Sequence, residues 1–241
     1  MRFRAILFDK DGTLFDFHRT WAGVGESSVV ALTPDPAVQD RLAALGGFDR
    51  ARKTFLPGAP MVAGTLREVA EIWQPHLPEH SVAGIERLLD EIAIEATRNG
   101  ALVPAVDHFG AFLTGLQAAG YALGIATHDS LESTQVQLDA ADVRGLFDFV
   151  AGYDSGHGMK PGPGMLHAFA HAVSVAPAEV VMVGDSVGDL QMVGNAGGGL
   201  AVGVLSGPAE ADDLAPYADY VLPTIGDLPG LLHKLAAQTP N

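Results

Sequence analysis

RFRAILFDKDGTLFD, residues 2–16, is the stretch that decides how the chain is organised. An apolar run, Ala5-Ile6-Leu7-Phe8, stops abruptly at Asp9-Lys10-Asp11-Gly12-Thr13. The run reads as a β-strand heading into the interior. Its end is unusual. A buried carboxylate is costly unless it is paired or bound to a metal. An ordinary turn would be satisfied by one Asp and a Gly. The second acid needs a chemical reason.

The same punctuation recurs along the chain. Short β-like runs at 3–9, 121–127, 149–153, 180–185, 200–204 and 220–222 each end in a polar or glycine-rich turn. Helical patterns at 106–119, 131–141, 163–174, 188–196 and 228–237 lie between most of them. This alternation predicts βαβ units: an α/β fold with a Rossmann-like parallel sheet core. Apolar runs such as VVMVG and YALGIA suit strands covered on both faces. Residues 16–98 break the alternation. They hold helical patterns at 37–45, 65–73 and 82–98, separated by TPDP, LPGAP and QPHLPEH, and no convincing strand. The expected organisation is therefore a core from 1–15 and 99–241 with an inserted all-helical domain, 16–98. Eight of the fourteen basic residues fall in that insertion, so any anionic group on a ligand would be expected to look there for a partner.

Composition narrows the function. The net charge of −15 disfavours nucleic acid, which demands a basic surface, and provides no basic patch for anionic lipid. The absence of cysteine excludes disulfides, thiolate metal sites and a cysteine nucleophile. The apolar stretch near the start is too short for a signal peptide. No window approaches the length of a membrane span. The expectation is a cytoplasmic protein, monomer or homodimer, without nucleic-acid or membrane partners.

In an open α/β sheet, ligands bind beyond the carboxyl ends of the strands. The first strand ends at Asp9 and Asp11, the second at Thr127-His128-Asp129. The third leads towards Lys160 in GMKPGPGM, and the fourth ends in GDSVGD, which carries Asp185 and Asp189. Such a rim suits phosphoryl transfer to a carboxylate nucleophile. Mg²⁺ held by carboxylates neutralises phosphate. A lysine stabilises the developing charge, and a hydroxyl and turn N–H groups bind further oxygens. One Asp attacks, the other handles protons, and the metal makes their proximity tolerable.

DKDGTL resembles the first motif of the haloacid dehalogenase-like hydrolases, and Thr127, Lys160 and GDSVGD follow in that family's order. The resemblance covers residues 9–189. It implies that Asp9 is the nucleophile and Asp11 the general acid/base. It implies Mg²⁺ on the Asp9 carboxylate, the Asp11 carbonyl and Asp185, with Asp189 completing or orienting the shell. Thr127 and Lys160 would hold the transferred phosphoryl group, and His128 would join them in binding substrate, as a phosphate donor or as a contact to the leaving group. His128 stands where relatives often have Asn. The insertion would be a cap that closes over the site and selects the substrate, a small phosphorylated metabolite. Among capped members the pattern is most similar to the phosphoglycolate phosphatases. The alternatives are a phosphoglucomutase-like transfer and a non-catalytic metabolite-binding module.

Other residues invite plainer readings. Trp21 and Trp73 fit the core of the insertion. His167 and His171 fit a surface helix face rather than a metal pair. His18 lies where a hinge is expected. Arg50, Arg52 and Lys53 fit a solvated loop, or a carboxylate anchor for the substrate.

Overall fold

The computed structural model describes residues 3–238. Six parallel strands form the main sheet: β1 (Ala5–Phe8), β4 (Ala122–Ala126), β5 (Phe149–Ala151), β6 (Val180–Gly184), β7 (Leu200–Val204) and β8 (Tyr220–Leu222). Their spatial order is β5-β4-β1-β6-β7-β8, with β1 central. Ala5 pairs with both Ala122 and Val180, and Phe8 with both Ile125 and Val183. The chain winds to one side of β1 first and then to the other, so the switch point lies at the end of β1.

Alternation along the strands divides the core. Ile6, Phe8, Ile125, Val181 and Val183 pack on one face with α6 (Phe109–Ala118) and α11 (Leu228–Ala237). Leu7, Ala126 and Met182 pack on the other with α8 (Gly164–Ala172) and α9 (Val187–Ala196). Both faces are dry, which explains why these strands read as unbroken apolar runs. Helix α7 (Leu131–Ala140) follows β4, and the short α10 (Ala211–Leu214) lies between β7 and β8.

Between β1 and β4 the chain forms α1 (Phe17–Leu32), α2 (Pro36–Gly46), α3 (Pro60–Ala63), α4 (Leu66–Trp73) and α5 (Val82–Arg98). These helices have their own core around Phe17, Leu42, Val69, Trp73, Ile85 and Leu89. Helix α1 is an addition to the sequence expectation. FHRTWAGVGESSVVAL contains two glycines, two serines and several β-branched residues, all indifferent helix formers. Burial of Val24, Ser28, Val29 and Leu32 along one face, together with the Asp16 cap on the Arg19 N–H, fixes the helix. A small antiparallel hairpin, β2 (Phe48–Asp49) with β3 (Thr54–Phe55), also appears where no strand was expected. Phe48 and Phe55 stack across it with centroids 4.8 Å apart. Among the described residues no helix is long and apolar enough to cross a membrane.

Candidate active site

Three strand ends and one loop supply the site. Asp9 follows β1, and its N–H donates to the Val183 carbonyl at 2.8 Å, which holds it in register with β6. Asp185 follows β6. Asp189 sits in the first turn of α9, where it forms a capping box with Ser186: the Ser186 Oγ donates to Asp189 Oδ2 at 2.6 Å. The Lys160 Nζ donates to Asp9 Oδ1 and to Asp189 Oδ1, both at 2.6 Å, and to the Ala126 carbonyl at the end of β4 at 3.2 Å. Thr127 follows directly, and its Oγ1 accepts from the Asp129 N–H at 3.1 Å.

The electrostatics of this cluster are lopsided. Ligand atoms of Asp9, Asp185 and Asp189 lie within 4.8 Å of one another, and all three residues are buried. Among the described residues, Lys160 is the one cation bonded within this group, and it bonds Asp9 and Asp189 but not Asp185. Burial pushes the Asp9 carboxyl up, and the Lys160 charge only partly opposes this. Burial, then the charges of Asp9 and Asp189, push Asp185 well above the usual carboxylate range. Burial alone would depress Lys160, but Asp189 and Asp9 outweigh it and hold the ammonium firmly charged. Both Asp189 oxygens are engaged, one by Lys160 and one by Ser186. Asp185 accepts a long contact from the Thr13 hydroxyl at 3.3 Å and closely approaches the Asp9 carboxyl. Three buried carboxylates facing one ammonium leave negative charge unbalanced. A hard divalent cation on all-oxygen donors would balance it, so the donor set fits Mg²⁺.

Asp11 stands apart from this trio. Its carboxylate is bonded to Lys10 and accepts from the Trp21 indole N–H at 2.7 Å. Burial raises the Asp11 pKa to about 6, against the pull of Lys10. Lys10 itself is fully buried and also contacts Asp129, at 2.9 Å, and Gln137.

A pocket of about 110 Å³ opens over these groups, bordered on the sheet side by Asp9, Asp11, Thr127, His128, Lys160 and Asp185. The structure thus brings together every residue singled out from the motifs, with Asp189 just behind the pocket wall. His128 bridges the two halves of the molecule: its Nδ1–H donates to the Ala63 carbonyl of α3 at 2.8 Å.

Several other expectations change. Trp73 lies in the core of the insertion, as expected, and Trp21 packs against that core while also bordering the pocket and donating to Asp11. Arg50 is bonded to Glu26, Asp40 and Gln39, and Arg52 to Asp49. Neither they nor Lys53 border the pocket. His18 does not border it either. His167 and His171 are exposed on α8, as a surface face requires. Lys10 and Trp21 are the contributors that motif reading missed. A lysine between two acids was the available signal for the first. The second depends on α1, which the sequence pattern did not reveal.

A parallel α/β sheet with acids at its switch point and a helical insertion over them defines an enzyme that works on oxygen-rich, anionic groups. The chain belongs to the haloacid dehalogenase-like hydrolases, whose family model matches residues 3–197. Among curated relatives it is similar to the phosphoglycolate phosphatase of Shigella boydii serotype 4, at 30% identity over 250 aligned positions, covering 99% of this chain and 97% of the relative. It is also similar to that of Escherichia coli K12, at 29% identity with the same coverage. Among solved structures, a predicted phosphoglycolate phosphatase from Haemophilus somnus superposes with a TM-score of 0.73 at 19% identity, covering 96% of this chain and 99% of that one. CbbY from Rhodobacter sphaeroides, solved with phosphate, gives a TM-score of 0.68 at 21% identity, covering 94% and 96%.

Proposed function

We propose that the chain is a Mg²⁺-dependent phosphatase that hydrolyses a small phosphorylated metabolite through a phosphorylated Asp9. Residues 16–98 act as its cap. The observation that carries this reading is the Asp9 carboxylate, bonded through one oxygen to Lys160 and facing the pocket beside Asp185. Family membership and the phosphoglycolate phosphatase relatives support the same chemistry.

The residues divide the work as follows. The Asp9 oxygen that Lys160 does not hold bonds to phosphorus as the bond from phosphorus to the substrate oxygen breaks. Asp11, with its raised pKa, gives its proton to the departing alcohol oxygen. Asp11 then takes a proton from water as the water oxygen bonds to phosphorus. Inorganic phosphate leaves and Asp9 is regenerated. Lys160 holds Asp9 in position and faces the transferred group, and Thr127 and the following backbone contribute donors beside it. Asp9, Asp185 and the Asp11 carbonyl would hold Mg²⁺, with Asp189 orienting Lys160 and the turn. The ion supplies positive charge that offsets the carboxylates and the phosphate.

Phosphate release from phosphorylated metabolites, with and without Mg²⁺, tests this reading. Asp9→Asn should lose turnover by at least about a thousandfold with an unchanged circular dichroism spectrum. Substantial residual turnover in that variant would remove Asp9 from the nucleophile role.

A further inference from the structure

The cap side of the pocket has a composition that the basic content of the insertion does not foretell. Trp21, Val24, Met61, Leu66, Val69 and Leu89 dominate it. Ser28 brings the one hydroxyl on that wall, and the Trp21 N–H already donates to Asp11. No arginine or lysine of the insertion borders the pocket. Arg50 and Arg52 are tied to Glu26, Asp40 and Asp49 outside it, and Arg67, next to the lining residue Leu66, is tied to Glu71 and Glu86. The pocket's single ammonium, Lys160, belongs to the phosphoryl end, where Asp9 and Asp189 already hold it. Four carboxylates, those of Asp9, Asp11, Asp129 and Asp185, also border the space.

A substrate with a second anionic group would therefore place that group against hydrocarbon and near other anions. A buried charge without a partner is strongly unfavourable. A polyol hydroxyl finds partners at Ser28, at the His128 Nε2 or at the acids, but wherever it lies against the hydrocarbon wall it loses its hydrogen bonds to water. An uncharged hydrocarbon group gains from the same wall. The pocket encloses only about 110 Å³, which favours a short organic group.

We infer that the substrate is a small phosphomonoester whose organic group is uncharged and apolar, not one that carries a carboxylate. The inference rests on the phosphatase reading and assigns its leaving group: the products are inorganic phosphate and a short, largely hydrocarbon alcohol.

The test uses a matched pair. Isobutyl phosphate and 2-phosphoglycolate differ in having an isopropyl group or a carboxylate on the same methylene. Acetyl phosphate serves as a control for phosphoryl chemistry itself. With Mg²⁺, kcat/KM for isobutyl phosphate should exceed that for phosphoglycolate by about tenfold or more. Met61→Lys, at a partly exposed position of α3 where the lysine stem can keep the apolar contact, should shrink or reverse that ratio. Release from acetyl phosphate, with isobutyl phosphate no better than phosphoglycolate, would overturn the substrate class and leave the phosphatase reading standing. No release from any of the three would overturn the phosphatase reading itself, and this inference with it.

Discussion

Asp9 and Asp11 are two residues apart yet sit in opposite company. Asp9 faces Lys160 and two further carboxylates, and Asp11 faces Lys10 and the Trp21 indole. In the proposed mechanism, environment rather than residue type divides the nucleophile from the acid. Trp21 fixes where Asp11 points. Trp21→Phe keeps the ring and removes the N–H, so it should lower kcat for alkyl phosphates by about tenfold. It should affect p-nitrophenyl phosphate much less, because that leaving group departs without a proton. Equal losses on both substrates would assign Trp21 to general packing. Two glycines guard the neighbouring carboxylate. A Cβ on Gly207 would lie 1.8 Å from Asp185 Oδ2, and one on Gly12, whose φ is +84°, would lie 2.3 Å from it. Gly207→Ala should therefore displace Asp185, lower stability by about 1–3 kcal/mol and raise the Mg²⁺ needed for half-maximal activity. Thermal melts and a Mg²⁺ titration would measure the two effects. An unchanged Mg²⁺ requirement would show that Asp185 moves freely without consequence.

At the scale of elements, the loop after β4 is the place where sheet and cap meet. Burial, then the charge of Lys160, lowers the His128 pKa, so the ring is neutral and its Nδ1–H donates to Ala63. Because Nδ1 carries the proton, the buried Nε2 is an acceptor, and it has no hydrogen-bond partner among the described residues. The folded protein resists protonating this ring, while the unfolded chain takes up the proton near pH 6.5. The stabilisation is therefore complete above about pH 6.5 and drains away as pH falls from there towards the lowered folded value. His128→Asn should cost about 1 kcal/mol at pH 8 and flatten the decline of Tm between about pH 6.5 and 5. A variant whose Tm falls as steeply as the wild type would disprove the contribution. The elements also show what a linear pattern conveys. The strands of the main sheet were legible because two covered faces produce unbroken apolar runs ended by turns. Helix α1 was not, because its residues have weak helical preference and only the buried face of Val24, Ser28, Val29 and Leu32 makes it regular. The tie between Arg50 and Glu26, which removes a candidate substrate anchor, depends on that same unseen helix.

For the whole molecule, the meeting of the candidate site residues was legible because sheet topology forces strand ends together. Asp9, Thr127 and Asp185 follow three adjacent strands, β1, β4 and β6, and had nowhere else to go. The cap's contribution was hidden, since which side chains face a pocket depends on how helices dock against a sheet. The resulting assembly buries Asp9, Asp185 and Asp189 together, with Lys160 shared between Asp9 and Asp189. Without a divalent ion the protein carries this repulsion as a deficit in stability, and burial with mutual repulsion raises Asp185 and Asp9 accordingly. An ion that binds only the folded chain stabilises it by about 2.7 kcal/mol at one hundred times its dissociation constant. For a chain of this length that corresponds to roughly 5–10 °C in Tm. Saturating Mg²⁺ should raise the wild-type Tm by that amount, and chelation should reverse the rise. Asp185→Asn removes one of the repelling charges and one prospective ligand. The metal-free variant should therefore melt at or above the metal-free wild type, while the Mg²⁺-induced rise falls to about 2 °C or less. Calorimetry on both proteins, with and without the ion, separates these effects. A full Mg²⁺ response in Asp185→Asn would show that the ion sits elsewhere, and a lower metal-free Tm would show that Asp185 is already compensated in the folded chain.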